Sequence, residues 1–379
     1  MKRIETAHMP VVARTHPGMT GKNNEDRYGV SAFSFGRGDV PVLLAVLCDG
    51  IGGHKAGEVA AEMAVNGISH AVAASDGRQP LEALRTAVRQ TGEAIFAQSQ
   101  ANGEQRGMGA TLSCAYIQDR SLYTATVGDS RIFLLRGGRL SQLSTDHTWI
   151  QEALENGILT PDQVKGHPNA HVIRRFLGSP VPPEPDFRLK LSGSETNEEA
   201  EANQGLALET GDVLLLCSDG LTDLVTNQEI EAVLGSMKMD EAADILVSMA
   251  CQRGGHDNIT LILIQVPEAR PVSKRKWPRL ALFGGISLVV LLILLGLLFA
   301  LTGWLDRQPV KEDGGTPAPF AQTVGPGAAT ELETLPPLEF PTETPKAVTA
   351  SPSGPTITPW PTHTFAPSPS PTRTQTNTP

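Results

Sequence analysis

Residues 42–47 form an uninterrupted apolar run, and Asp49 follows almost at once. Such a run reads as a strand buried on both faces. A carboxylate at its end is expensive to desolvate unless something compensates for it. The pattern recurs along the chain: Asn24-Glu25-Asp26, Asp49-Gly50, Gly128-Asp129-Ser130, Ser218-Asp219-Gly220 and Asp257-Asn258. One such strand end is ordinary turn chemistry. Five of them, spread over more than two hundred residues, point to strand ends that converge on hard cations, which take oxygen ligands.

The rest of residues 1–268 predicts an α+β domain. Strands are expected at 42–47, 111–117, 122–127, 132–136, 213–217 and 259–266, with a hairpin at Arg136-Gly137-Gly138-Arg139. Helices are expected at 58–74, 81–101, 148–156 and 240–253. In the first of these, Ala60, Ala61, Ala64, Val65 and Ile68 form one apolar stripe. Strands in succession, with helices in pairs between them, favour layered sheets over a doubly wound fold. Residues 144–190 are proline-rich and irregular, as a flap would be, and the acidic stretch 194–201 reads as a solvated surface insertion.

Beyond residue 268 the composition changes. Residues 269–279 are a basic linker holding Arg270, Lys274, Arg275, Lys276 and Arg279. Residues 280–303 are almost purely apolar, so one transmembrane helix is expected over 280–304. The flank after it is mixed, with Asp306, Arg307, Lys311, Glu312 and Asp313. The positive-inside bias then places residues 1–268 in the cytoplasm and residues 305–379 outside, on a single-pass protein of the cell membrane. Residues 1–20 are polar and contain two prolines, so the span is expected to serve as both insertion signal and anchor. The tail is dominated by Pro, Thr and Ser and is expected to be disordered, since it has too little apolar surface to offset its ordering entropy.

The net charge of -10 argues against nucleic-acid binding. Cys48, Cys114, Cys217 and Cys251 form no CxxC pair and are expected to be free thiols in a reducing compartment.

Taken in order, NNEDR (23–27), CDGIGGHKAGEVAA (48–61), GMGATLSCA (107–115), VGDSRIFLLRGGRL (127–140), LLCSDGLTD (215–223) and GGHDNITLILI (254–264) resemble the metal-dependent type 2C protein serine/threonine phosphatases, especially the bacterial ones. The resemblance implies a four-layer αββα sandwich of two antiparallel sheets flanked by helices. It also implies a centre of two Mn²⁺ or Mg²⁺ ions. Asp49 would bridge both ions and Gly50 would offer its carbonyl. Asp219 and Asp257 would complete one shell, and Glu25 and Asp26 would serve the other. Asp129 is the position tied to a third, weaker ion, with a structural aspartate as the equal alternative. Asp223 is expected to cap locally. His54 would protonate the leaving alkoxide, having a pKa near operating pH.

One departure stands out. The family's phosphate-gripping arginine falls on Gly21, which leaves Lys22 to supply a point charge in place of a bidentate fork. The resemblance further implies phosphorylated proteins as substrates and a membrane Ser/Thr kinase as a functional partner. The alternative is a catalytically weak module that binds phosphoproteins or tethers them at the membrane.

Overall fold

The computed structural model describes residues 1–52, 56–164, 166–268 and 292–298. The chain divides into two units, 1–290 and 291–379. In the second unit the described residues, 292–298, are helical. Among the described residues no helix is long and apolar enough to cross a membrane. Most of the span expected at 280–304, the basic linker beyond residue 268 and the tail lie outside the described residues.

In the first unit the strands and helices follow in chain order: β1 (Lys2–Ile4), β2 (Val11–His16), β3 (Arg27–Phe35), β4 (Val40–Cys48), β5 (Gly50–Ile51), α1 (Ala56–Ala74), α2 (Pro80–Ala101), β6 (Gly109–Ala110), β7 (Leu112–Gln118), β8 (Ser121–Val127), β9 (Arg131–Arg136), β10 (Arg139–Gln142), α3 (Trp149–Glu155), α4 (Asn197–Ala202), β11 (Leu206–Ala207), β12 (Val213–Cys217), α5 (Asp219–Thr222), α6 (Asn227–Ser236), α7 (Met239–Gln252) and β13 (Ile259–Gln265). One sheet runs β1-β3-β4-β7-β8-β11 and the other β10-β9-β12-β13-β2. Every pairing within them is antiparallel.

The two-residue period of a strand explains how a continuous apolar run serves two interfaces. Leu43, Ala45 and Leu47 of β4 face inward and meet Ile132, Leu134, Leu214, Leu216 and Ile262 of the opposite sheet. Val42, Leu44, Val46 and Cys48 point the other way, onto Ala60, Ala64 and Ile68 of α1 and Leu84, Val88 and Ile95 of α2. The second sheet does the same: Phe133, Leu135, Leu215, Cys217 and Leu263 pack against Ile230 and Leu234 of α6 and Leu246 and Ala250 of α7. The result is the expected four-layer αββα sandwich with its main core between the sheets.

Some expectations change. β2 and β3 did not stand out because their residues are mostly half-buried and carry polar groups. Residues 194–201 are more than a solvated insertion. Thr196 and Glu199 form a capping box that opens α4, and Ala200 is buried. α6 opens on the same device, with Thr226 and Glu229. The four cysteines are free, and Cys48, Cys114 and Cys217 are buried. Burial pushes the Cys114 and Cys217 thiols up to about 12, which makes them inert packing groups.

Leu43 is fully buried between the sheets. We expect Leu43→Ala to destabilise the domain by about 2–5 kcal/mol, read as a shift in urea midpoint with an unchanged m-value.

Candidate active site

Strand register brings the acidic stretches together. β3 and β4 pair Arg27 with Cys48, so Asp26 and Asp49 leave the first sheet side by side. In the second sheet Cys217 of β12 pairs with both Arg131 of β9 and Leu261 of β13. Asp129, Asp219 and Asp257 therefore emerge at one end of that sheet.

A chain of hydroxyls stitches the two ends together. The Ser218 hydroxyl donates to Asp26 Oδ2 at 2.8 Å. Thr111 Oγ1 lies 2.7 Å from Ser130 Oγ, and the Ser113 hydroxyl donates to the Ser130 carbonyl at 2.7 Å. Asp49 is pinned by its backbone: its N–H donates to Thr111 Oγ1 at 2.9 Å, and its carbonyl accepts from the Thr111 N–H at 2.8 Å.

Asn258 holds the loop that carries Glu25. Its Oδ1 accepts the Glu25 N–H at 2.6 Å, and its Nδ2 donates to the carbonyls of Pro17 and Asn23, both at 3.1 Å. Gly50 and Gly57 are glycines for reasons of space. A Cβ on Gly50 would strike the Gly57 carbonyl and stand 2.8 Å from the Glu25 carbonyl, while one on Gly57 would strike Glu25 Oε2.

The electrostatics are those of anions lacking a counter-ion. Burial pushes the Asp26 carboxyl up to about 7, Asp129 to about 8 and Asp219 to about 6. Negative neighbours add to each shift. Asp49 is raised well above the carboxylate range by burial and then by Asp26, Asp219, Asp129 and Asp257. Glu25 is raised by burial, Asp257 and Glu58.

The nearby arginines are engaged elsewhere. Arg27 pairs with Glu58, and Arg131 makes a forked pair with Asp146, with bonds from 2.7 to 3.1 Å. Meanwhile Asp26 Oδ1, Asp129 Oδ1 and Asp219 Oδ1 are inaccessible and without a hydrogen-bond partner. Buried polar atoms are rarely left unpaired. Unpartnered carboxylate oxygens converging here fit divalent cations that take oxygen ligands.

The structure therefore assembles Glu25, Asp26, Asp49, Gly50, Asp129, Asp219 and Asp257 at one end of the sandwich. His54 lies outside the described residues. Lys22 is exposed near Glu25, whose carboxyl its charge draws downward. Gly21 has φ of +75°, and a Cβ there would meet nothing within 4 Å. Asp223 is the C-cap of α5, its N–H donating to the Asp219 carbonyl at 2.8 Å, and its Oδ2 also faces His171 Nδ1 of the flap at 3.4 Å.

The flap is tied to the site by a buried histidine that sequence reasoning passed over. His147 Nδ1 accepts the Gly128 N–H at 3.0 Å, so Nε2 carries the proton and donates to Asp186 Oδ2 at 2.9 Å. Burial alone would raise the Asp186 carboxyl, but hydrogen bonds from His147 and Arg188 hold it well below the usual range. A cavity of about 460 Å³ opens between flap and site, with Asp129, Asp219, Asp223, His171 and Lys190 among its lining residues.

The raised carboxyls fix the sign of a pH effect. Between about pH 4 and pH 8 the folded, metal-free protein holds protons that the unfolded chain has released. Its stability must fall as pH rises through that window. We expect Tm of the metal-free protein to drop from pH 5 to pH 8 and Mn²⁺ to restore it. Asp129→Asn should raise the metal-free Tm at pH 8 by a few degrees, with a smaller gain on adding Mn²⁺. Calorimetry at both pH values checks this.

Comparison with known proteins agrees with this geometry. A family model for "Protein phosphatase 2C" matches residues 18–249. The serine/threonine protein phosphatase PstP of Mycobacterium tuberculosis is 35% identical over 267 residues, covering 70% of this chain and 46% of its own length. The chain thus spans about half of that relative. The serine/threonine phosphatase stp of Listeria monocytogenes is 33% identical over 257 residues, covering 66% of this chain and 94% of the relative.

Among solved structures, the Streptococcus agalactiae serine/threonine phosphatase superposes with a TM-score of 0.59 at 30% identity, covering 68% of this chain and 100% of that one. The catalytic domain of PstP in complex with two manganese ions superposes with a TM-score of 0.56 at 31% identity, covering 69% of this chain and 99% of that one. With its unpartnered carboxylates gathered at the end of the same fold, the chain belongs to the protein phosphatase 2C family, serine/threonine protein phosphatases that work with Mn²⁺ or Mg²⁺.

Proposed function

We propose that the whole protein is a membrane-anchored phosphatase that hydrolyses phosphoserine and phosphothreonine on proteins, among them the substrates of a Ser/Thr kinase at the same membrane. The observation that carries the catalytic part is the set of inaccessible, unpartnered carboxylate oxygens on Asp26, Asp129 and Asp219 beside Asp49. A merely tethering module would gain nothing from burying them.

Asp49, Gly50, Asp219 and Asp257 would hold one divalent cation, and Asp49, Glu25 and Asp26 the other. Bound there, the ions supply an activated water and neutralise phosphoryl charge. The chain's own residues do the positioning. Thr111 fixes the Asp49 backbone, Ser218 orients Asp26, and Asn258 holds the Glu25 loop over the centre. Lys22 supplies a positive charge at the rim for the substrate phosphate, and His54 is the acid for the leaving oxygen. Cys48, Cys114 and Cys217 are buried among packed strands, which suits them to packing rather than to attack on phosphorus.

We expect Mn²⁺-dependent phosphate release from a phosphothreonine peptide, insensitive to thiol blockers. Asp49→Asn or Asp219→Asn should lower it by at least about a hundredfold, on the order of 3 kcal/mol in the barrier. Lys22→Ala should raise KM for a small phosphate ester several-fold with little change in kcat, since a charge that binds ground and transition states alike acts on KM. An unchanged KM would remove Lys22 from the site, and full activity in Asp49→Asn would overturn the mechanism.

The anchor is supported by the apolar run at 280–303 and the basic residues before it. The full chain should stay with membranes after alkaline extraction, and deleting 280–304 should release an active enzyme. Recovery of the intact chain in the soluble fraction would refute anchoring.

A further inference from the structure

We propose that a groove beside the site, with Arg139 and Lys190 as its cations, binds acidic residues of the phosphorylated substrate chain about four to seven positions from the phosphoresidue. The inference rests on the phosphatase reading and deepens it by naming a substrate class.

The groove encloses about 440 Å³ between β10 (Arg139–Gln142) and residues 190–193. It shares Gln142 and Lys190 with the cavity of about 460 Å³ that holds Asp129 and Asp219, so the two are continuous. Their charges differ. The cavity is lined by Asp129, Asp146, Asp219 and Asp223. No acidic residue lines the groove, whose charged residues are Arg139 and Lys190.

The acids that border the groove are engaged. Glu231 Oε2 accepts the Leu140 N–H at 2.7 Å, Glu195 Oε2 accepts the Leu191 N–H at 2.8 Å, and Asp146 pairs with Arg131. Among the described residues neither Arg139 nor Lys190 forms an ion pair. On a chain of net charge -10, two cations in one groove without a paired carboxylate attract anions locally and steer their approach.

Strand register sets the spacing. β10 pairs with β9 so that Gln142 faces Phe133 and Arg139 faces Arg136, and Asp129 stands just before β9. At about 3.3 Å per residue, Gln142 lies about 13 Å and Arg139 about 23 Å beyond Asp129 along the hairpin. Lys190 is half-buried at the near end, its N–H donating to the Leu143 carbonyl at 2.8 Å. With its phosphoresidue at the acidic end, an extended peptide covers those distances in about four and about seven residues.

The test uses the full chain in a neutral detergent with Mn²⁺ and a set of phosphothreonine peptides of equal length. Asp is placed about four and seven residues from the phosphothreonine, on its N-terminal or its C-terminal side, and matched peptides carry Ser or Lys there. On one of the two sides we expect kcat/KM of the Asp peptide to exceed that of the Ser peptide by about three- to tenfold, through KM, with the Lys peptide below both. The gain should fade in high salt. Arg139→Glu and Lys190→Glu should each reduce the preference, and the double variant should reverse it in favour of the Lys peptide. A merely structural change would slow all the peptides alike and would not reverse their order.

Equal kcat/KM for the Asp, Ser and Lys peptides on both sides would overturn the proposal, as would an acidic preference that survives in the double variant. Absence of phosphate release from every peptide would overturn the proposed function and this inference with it, whereas release at equal rates would overturn this inference alone.

Discussion

Mutual repulsion among buried carboxylates is the constraint around which this domain is arranged. Asp26, Asp49, Asp129 and Asp219 are carried by different strand ends of two sheets, and each is pushed toward its neutral form by burial and by negative neighbours. A protein selected only for stability would disperse such groups or pair them with arginine. Here the local arginines are committed to Glu58 and Asp146. The fold must therefore hold the acids together against their repulsion, and it does so with hydrophobic layers on both sides of each sheet. Stability given up at the site is compensated elsewhere, as is common where a structure is shaped by function.

Which features were legible in the sequence follows from range of interaction. β4, β7, β8, β9, β12 and β13 could be read because strands covered on both faces are written as unbroken apolar runs. β2 and β3 are mixed in composition and gain their place only by pairing with β13 and β4. α6 carries only three buried residues, Ile230, Val233 and Leu234, too few for a clear stripe. Its capping box was a usable local signal.

The clustered acids were legible because each lies in a short stretch with glycine or asparagine near a strand end. The groups that position them were less so. Thr111, Ser130, Ser218 and His147 act across 19 to 192 residues of sequence, and nothing adjacent to them announces the partner. Asp223 caps α5 as its neighbours suggested, but its contact with His171 of the flap, 52 residues upstream, had no local signal.

The hydroxyl chain at the seam has a consequence for how the domain can move. Ser218 reaches Asp26 across the gap between the sheets, and Thr111 meets Ser130 in the same way. These contacts act as spacers, setting how far the two halves of the sandwich stand apart at their acidic end. The spacing of the carboxylates that would hold cations is then inherited from the separation of two β-sheets rather than from any one loop. Breathing of the sandwich at that end would change how those carboxylates stand to one another, and cations bound there would act as rivets across the joint.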